Sequence, residues 1–119
     1  MKEKITLYHN PRCRKSREAL AYLEEKNISP EIILYLKEPF TEKTLEALLS
    51  KLELAPKALV RTEETLWKTT YKNETLDDGA LLKILVTHPN LIQRPIVATA
   101  QKAVLARPLE NLISFLQNH

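Results

Sequence analysis

The sequence predicts a single α/β domain that opens with a strand–helix–strand unit and closes with a hairpin and a helix. Short apolar segments near both ends of the chain have the alternation or continuity of strands, and the segments between them have apolar residues at helical spacing. A length of 119 residues with 44% hydrophobic residues suits one domain, 1–119, with a real core. Strands that alternate with helices are typical of α/β folds.

The first unit is predicted from a change of period. Residues 4–8 alternate between apolar and polar side chains and predict a strand, which Asn10 and Pro11 end. A helical stripe follows from Arg14 to about Lys26. The uninterrupted apolar run 32–36 predicts a second strand, buried on both faces as in parallel sheets. Together these elements predict a right-handed βαβ unit.

The middle of the chain, about 41–90, is predicted to be a helical insertion. Thr41 is expected to cap its first helix, and Pro56 to open a short helical turn. The polar stretch 62–73 has the least regular pattern in the chain. Thr75 and Asp78 have the spacing of a capping box for a further helix.

The last part of the chain predicts a hairpin and a helix. The apolar runs 96–98 and 103–106 are separated by a short polar stretch, and Pro108 stands where a final helix would begin. The hairpin is expected to extend the sheet of the first unit, which gives a mixed sheet.

Composition excludes several classes of function. A formal net charge of +3 is too small to predict nucleic-acid binding. No apolar run approaches the ~20 residues of a membrane span, and the polar start of the chain is unlike a signal peptide. We therefore expect a cytoplasmic protein that has no membrane partner. Gly79 is the only glycine, which excludes glycine-rich phosphate loops.

The single cysteine, Cys13, excludes an intrachain disulfide and a zinc site of several thiolates. The three histidines, His9, His88 and His119, have no ligand spacing, so no metal site is predicted. Ser16 stands where a Cys-x-x-Cys pair would have its second thiol, and Ala19 where a Cys-x5-Arg phosphatase loop would have its arginine.

Cys13 is predicted to be a reactive thiol at the start of the first helix. Helix N-termini and neighbouring cations lower the pKa of a thiol, and unsatisfied first-turn N–H groups attract anions. The Ser16 hydroxyl is expected to hydrogen-bond the sulfur, and His9 is either a base for it or a structural residue at the strand end. A small buried hydrophobe is the alternative for Cys13, which the nearby positive charge disfavours. Four cations and no acidic residue lie in 9–17: Arg12, Arg14, Lys15 and Arg17.

Three further arginines stand beside structural breaks, where Arg61 follows the Pro56 turn and Arg94 and Arg107 each precede a proline. Guanidinium groups match tetrahedral oxyanions. Taken singly, each is typical of a surface arginine, and their spacing does not show that they converge.

Three segments carry specific motifs in order along nearly the whole chain. They are His9-Asn10-Pro11-x-Cys13-x-x-Ser16-Arg17, Arg94-Pro95-Ile96-Val97 and Arg107-Pro108. Together they resemble the family of arsenate reductases coupled to glutaredoxin. The resemblance implies a thioredoxin-like fold with a helical insertion, and a cis peptide bond before Pro95 at the site.

The resemblance also implies the chemistry. Cys13 would be the nucleophile that attacks arsenate or a related oxyanion, with His9 and Ser16 lowering the pKa of its thiol or orienting it. Glutathione would be the co-substrate and glutaredoxin the protein partner of a monomer that holds no bound cofactor. Arginines would bind the oxyanion and other residues would shape the site. The expected oxyanion ligands are Arg61, Arg94 and Arg107, and the expected structural residues are Asn10, Pro11, Arg17 and Pro95.

Two alternatives remain open at this point. A regulator of the Spx kind shares the fold and binds RNA polymerase, but generally has a Cys-x-x-Cys switch that this chain lacks. A thiol–glutathione oxidoreductase would act on protein disulfides without an oxyanion substrate. A tetrahedral anion on Cys13 would distinguish the arsenate reductase from both.

Overall fold

A computed structural model describes residues 4–117. It contains four strands and four α-helices, with two 3₁₀ turns and one π-helical turn. In chain order the regular elements are β1 (Thr6–Tyr8), α1 (Arg14–Glu25), β2 (Glu31–Ile33), α2 (Glu42–Leu52), α3 (Asp78–Thr87), β3 (Ile96–Ala98), β4 (Ala103–Leu105) and α4 (Leu109–Gln117). The 3₁₀ turns are Pro56–Leu59 and Pro89–Leu91, and the π-helical turn is Trp67–Tyr71.

The chain divides into two compact units. One comprises the residues up to Glu38 and those from Arg94 onward, and the other is Pro39–Gln93. The first unit holds the sheet, α1 and α4, and the second holds α2, α3 and the three short turns. Whether both form the single domain with an insertion at about 41–90 stays a prediction.

The four strands form one mixed sheet in the order β2-β1-β3-β4. β1 and β2 are parallel, with Leu7 paired to Ile32, as the βαβ prediction requires. β3 is antiparallel to both β1 and β4, so the closing hairpin extends the sheet of the first unit. The predicted α/β class with a mixed sheet is confirmed.

Apolar side chains from the sheet and two helices form the core of the first unit. Leu7 and Val97 lie on neighbouring strands, and Leu23 of α1 and Leu112 of α4 pack with them; all four are fully buried. Burial of such side chains stabilises the fold by roughly 1.5–3 kcal/mol each. The α1 helix is thereby fixed on the sheet, which also fixes the position of its first residue.

The predicted second strand is present, but its predicted bounds, 32–36, and its burial on both faces were wrong. β2 ends at Ile33, and the chain then turns, with the N–H groups of Lys37 and Glu38 both donating to the Leu34 carbonyl at 2.9 and 2.8 Å. Ile32 and Leu36 each expose 43% of their surface. The physical reason is position, because β2 is an edge strand with β1 as its sheet partner.

The helices of the second unit begin at side-chain caps. Thr41 caps α2 in a reciprocal capping box with Thr44, as its sequence position predicts. The predicted cap of α3 at Thr75 was wrong. The cap is Asp77, whose carboxylate accepts from the Ala80 N–H at 2.8 Å, and the helix itself begins at Asp78. Asp is among the preferred N-cap residues, because its carboxylate can accept from an N–H group in the first turn of the helix.

Candidate active site

In the first unit, the segments that carry the candidate site residues meet at one edge of the sheet, the edge that is formed by the strand ends. The end of β1, the start of β3 and the end of β4 lie at this edge, because β3 is antiparallel to both neighbours. The chain leaves β1 there and runs through residues 9–13 into α1. Arg94 stands two residues before β3, and Arg107 two residues after β4. Strand pairing therefore brings residues from both ends of the sequence to the same edge.

Cys13 is the N-cap residue of α1, in extended conformation with φ −91° and ψ 122°. Its N–H donates to the Asn10 carbonyl at 3.0 Å, and its own carbonyl accepts from the Arg17 N–H at 3.0 Å. The backbone N–H groups of Ser16 and Lys15 favour the thiolate form of the half-buried sulfur and so lower the pKa of the thiol. A side-chain oxygen normally accepts from these first-turn N–H groups, whereas the Cys13 side chain makes no capping hydrogen bond.

The pKa of the Cys13 thiol is set by opposing influences whose balance is downward. Burial raises the pKa, because it disfavours the charged thiolate. The Ser16 N–H, the hydrogen bond and charge of the Arg94 guanidinium, and the Lys15 N–H all lower it. The net effect is a pKa below the ordinary value of a free thiol, which confirms the direction predicted from the helix start.

The positive charge that lowers this pKa comes from Arg94 and not from the cations beside Cys13 in sequence. The Arg14 side chain is 84% exposed and pairs with Glu18 at 3.4 Å, and Lys15 lies 3.9 Å from the same carboxylate. Solvent screening and a neighbouring carboxylate both weaken the electrostatic effect of these two cations on the Cys13 thiol. The sequence predicted that the helix start and the neighbouring cations would both lower the pKa. The helix start does so through the Ser16 and Lys15 N–H groups, but the charge that contributes is that of Arg94.

His9 and Ser16 form a buried polar pair behind the loop, with 6% and 0% of their surfaces exposed. The His9 Nδ1 and Ser16 Oγ atoms are 2.6 Å apart, and the Asn10 N–H donates to the same hydroxyl at 3.0 Å. Burial lowers the pKa of His9, and the charge of Arg17 lowers it further, so the neutral imidazole is favoured. Neutral imidazole has one donor and one acceptor nitrogen, which suits a hydroxyl partner.

This pair changes the role expected for the Ser16 hydroxyl. Sequence reasoning directed it at the sulfur, but the hydroxyl is engaged by His9 and Asn10, and it is the backbone N–H of Ser16 that meets Cys13. The geometry favours His9 as a residue that positions the loop. Catalytic roles for His9 and Ser16 stay predictions.

The rest of the loop is held by short polar contacts. The Asn10 side-chain oxygen accepts from the Arg12 N–H at 3.0 Å, and the Arg17 guanidinium donates to the Pro11 carbonyl at 2.9 Å. The first contact closes the turn on itself, and the second ties the turn to the first turn of α1. Such bonds are the kind expected of Asn10, Pro11 and Arg17 as structural residues of the site.

The three predicted oxyanion ligands have different surroundings. Arg94 forms a hydrogen bond with the Cys13 sulfur. The peptide bond between Arg94 and Pro95 is cis, as predicted, and the bond between Arg107 and Pro108 is also cis. Arg61 belongs to the second unit. Its role as an oxyanion ligand stays a prediction, as does that of Arg107. The Arg61 guanidinium pairs with Glu64 at 2.9 Å and Glu63 at 3.6 Å.

Residues 4–117 offer neither a cluster of metal ligands nor a membrane-spanning helix. That part of the chain contains no group of three or more His, Cys, Asp or Glu side chains that could hold a metal ion. Nor does any of its helices combine the length and apolarity needed to cross a membrane.

The sequence matches one family over most of its length. A model of the ArsC family covers residues 8–115. The chain belongs to the ArsC family. The predicted family resemblance is thereby confirmed.

Relatives of this ArsC-family chain match it nearly end to end. A protein of Neisseria meningitidis serogroup A, named arsenate reductase, is 42% identical over 114 residues, which cover 94% of this chain and 97% of that protein. An arsenate reductase of Haemophilus influenzae is 39% identical over 94% of this chain and 98% of its own length. The solved structure of an arsenate reductase from Vibrio cholerae matches with a TM-score of 0.90 and 37% identity, over 96% of this chain and 98% of that one. The ArsC-family chain has the thioredoxin-like fold that the resemblance implied.

The lowered pKa of Cys13 makes a direct prediction. Because the thiolate is the species that reacts with iodoacetamide, the alkylation rate rises with pH and levels off above the pKa of the thiol. We expect the inflection for the folded protein to lie below ~8.5, the value of a free thiol. The measurement is the rate of mass increase by intact-protein mass spectrometry across a pH series. The same chain in urea is the matched control, and coincident inflections in the two states would contradict the prediction.

Proposed function

We propose that this ArsC-family chain reduces arsenate to arsenite through a covalent adduct on Cys13, with glutathione and glutaredoxin as reductants. The observation that carries the proposal is the environment of the sulfur, which two backbone N–H groups and the Arg94 guanidinium stabilise as a thiolate. The names of the relatives point to the same substrate, since several of them are called arsenate reductase.

In the first step the Cys13 thiolate attacks the arsenic atom of arsenate. A sulfur–arsenic bond forms, an arsenic–oxygen bond breaks, and the oxygen leaves as water after taking up protons. Arsenic stays in the pentavalent state. The adduct is an anion at the N-terminus of α1, where the N–H groups of Lys15 and Ser16 and the charge of Arg94 stabilise it. In other enzymes, preorganised hydrogen-bond donors of this kind stabilise the transition state by several kcal/mol.

The second step needs an external thiol, because the chain has only one cysteine. The glutathione thiolate attacks the Cys13 sulfur, a disulfide bond forms, and the sulfur–arsenic bond breaks. The electron pair of that bond stays on arsenic, which becomes trivalent and leaves as arsenite. Glutaredoxin then reduces the mixed disulfide by thiol–disulfide exchange and restores the Cys13 thiol. No bound cofactor is required, and the cytoplasm is the compartment that supplies these reductants.

The test is a steady-state assay of arsenate reduction in which NADPH consumption is coupled through glutathione reductase. We expect turnover that requires arsenate, glutathione and glutaredoxin together, and that stops when any one is left out. Turnover with thioredoxin in place of both thiol partners would keep the arsenate step and overturn the reductant. Turnover of a glutathione mixed disulfide with none for arsenate would favour the thiol–glutathione oxidoreductase instead.

A further inference from the structure

A cavity of about 400 Å³ lies beside the loop that leads to Cys13. Residues 9–12 form one wall, and Leu34, Leu36 and Lys37 form the other. The walls are the segments that follow β1 and β2, and the His9 N–H donates to the Ile33 carbonyl at 2.9 Å where they begin. Because β1 and β2 are parallel, the cavity opens at the same sheet edge as the start of α1. Cavities of this size hold small organic ligands.

The lining of this cavity, which we call the loop pocket, is cationic and partly apolar. Arg12 and Lys37 are both exposed, and none of the lining residues is acidic. Within residues 4–117 neither side chain has an acidic partner, in contrast to Arg14 and Lys15, which share Glu18. Leu36 adds an apolar surface that is 43% exposed. A small anion with two separated negative groups and an apolar stem would complement this lining.

The loop pocket is coupled to the nucleophile through the backbone. Its wall of residues 9–12 ends at Cys13, whose N–H donates to the Asn10 carbonyl at 3.0 Å. A ligand in the pocket therefore lies against the loop that carries the sulfur, on the side away from the β3–β4 hairpin that supplies Arg94. Arg94 and the loop pocket therefore lie on opposite sides of β1, with Arg94 on the β3 side and the pocket on the β2 side.

We propose that the loop pocket is the binding site for glutathione, whose two carboxylates are held by Arg12 and Lys37. Glutathione is a tripeptide with a net negative charge, and its thiol lies on the residue between its two ends. Binding at both ends presents that thiol to the Cys13 adduct. The inference rests on the proposed function for the identity of the reductant, and it adds where that reductant binds. It also separates the two substrates, with the oxyanion on the Arg94 side and the thiol on the β2 side.

The kinetic test uses the variants Arg12→Ala, Lys37→Ala and their combination. Both cations are exposed, so each single substitution is expected to raise the KM for glutathione about two- to fivefold, and the double substitution roughly tenfold. The KM for arsenate and the kcat at saturating glutathione are expected to stay unchanged. Arg14→Ala and Lys26→Ala are matched controls that remove the same charges elsewhere, since Arg14 pairs with Glu18 and Lys26 lies over the Tyr22 ring. An unchanged KM for glutathione in the double variant would overturn the pocket while arsenate turnover still supports the function.

A binding test does not depend on turnover. S-methylglutathione, which has no free thiol, is titrated into the isotopically labelled wild-type protein and followed by amide NMR shifts. We expect the largest shifts at Arg12, Leu36 and Lys37, and weaker binding in the double variant. Shifts confined to other residues, or equal binding by the double variant, would overturn the site. Intact binding in a protein that fails to reduce arsenate would support the pocket and overturn the proposed function alone.

Discussion

Replacing Cys13 with serine is expected to abolish arsenate reduction with glutathione and glutaredoxin. The chain has no second thiol to replace the nucleophile, and a serine hydroxyl stays protonated where the Cys13 thiol ionises. Removal of a nucleophile lowers kcat by roughly 10⁴-fold or more in enzymes where it has been measured. The measurement is the coupled assay, together with mass spectrometry for the arsenic adduct, which should be absent from the variant.

The Cys13→Ser protein is expected to fold normally. The backbone bonds of residue 13 to Asn10 and Arg17 do not involve the sulfur, and serine is a good N-cap residue. Circular dichroism and thermal unfolding check this, with Cys13→Ala as a second variant that removes the sulfur without adding a hydroxyl. Full activity in a correctly folded Cys13→Ser protein would remove the covalent mechanism.

Replacing Arg94 with alanine is expected to raise the pKa of Cys13 and to lower kcat/KM for arsenate by roughly 10²–10³-fold, the scale of losing one oxyanion donor. The sign follows from the contact, because Arg94 both hydrogen-bonds the sulfur and favours its negative charge. Without it the thiolate fraction near neutral pH falls, so activity should recover in part as the pH rises. Arg94→Lys keeps the charge and loses the planar fork, and an intermediate effect is expected.

Arg14→Ala is the matched control for this experiment. It removes an arginine that is adjacent to Cys13 in sequence but 84% exposed and paired with Glu18. We expect its alkylation profile and its arsenate kinetics to match those of the unaltered protein. Equal pKa shifts in Arg14→Ala and Arg94→Ala would show that the local cations activate the thiol, contrary to the structure.

Much of the site was predictable because its main determinant is local. A strand that ends at Asn10-Pro11 and a helix that begins at Arg14 place Cys13 at a helix start, whatever the rest of the chain does. The two wrong assignments of secondary structure came from signals that neighbours override. The apolar run 32–36 has the pattern of a central strand, but β2 lies at the sheet edge, and the Asp77 carboxylate caps α3 in preference to Thr75.

The sequence by itself determined that this protein has one thiol at the start of one helix, and its three motifs were enough to indicate the family. The tertiary structure decided which groups surround that thiol. Arg94 reaches the sulfur because β3 pairs with β1, and no local pattern encodes that pairing. The Ser16 hydroxyl turns inward because burial beside His9 requires it to be hydrogen-bonded there. Long-range strand pairing and burial thus selected the active groups from a sequence that offered several cations.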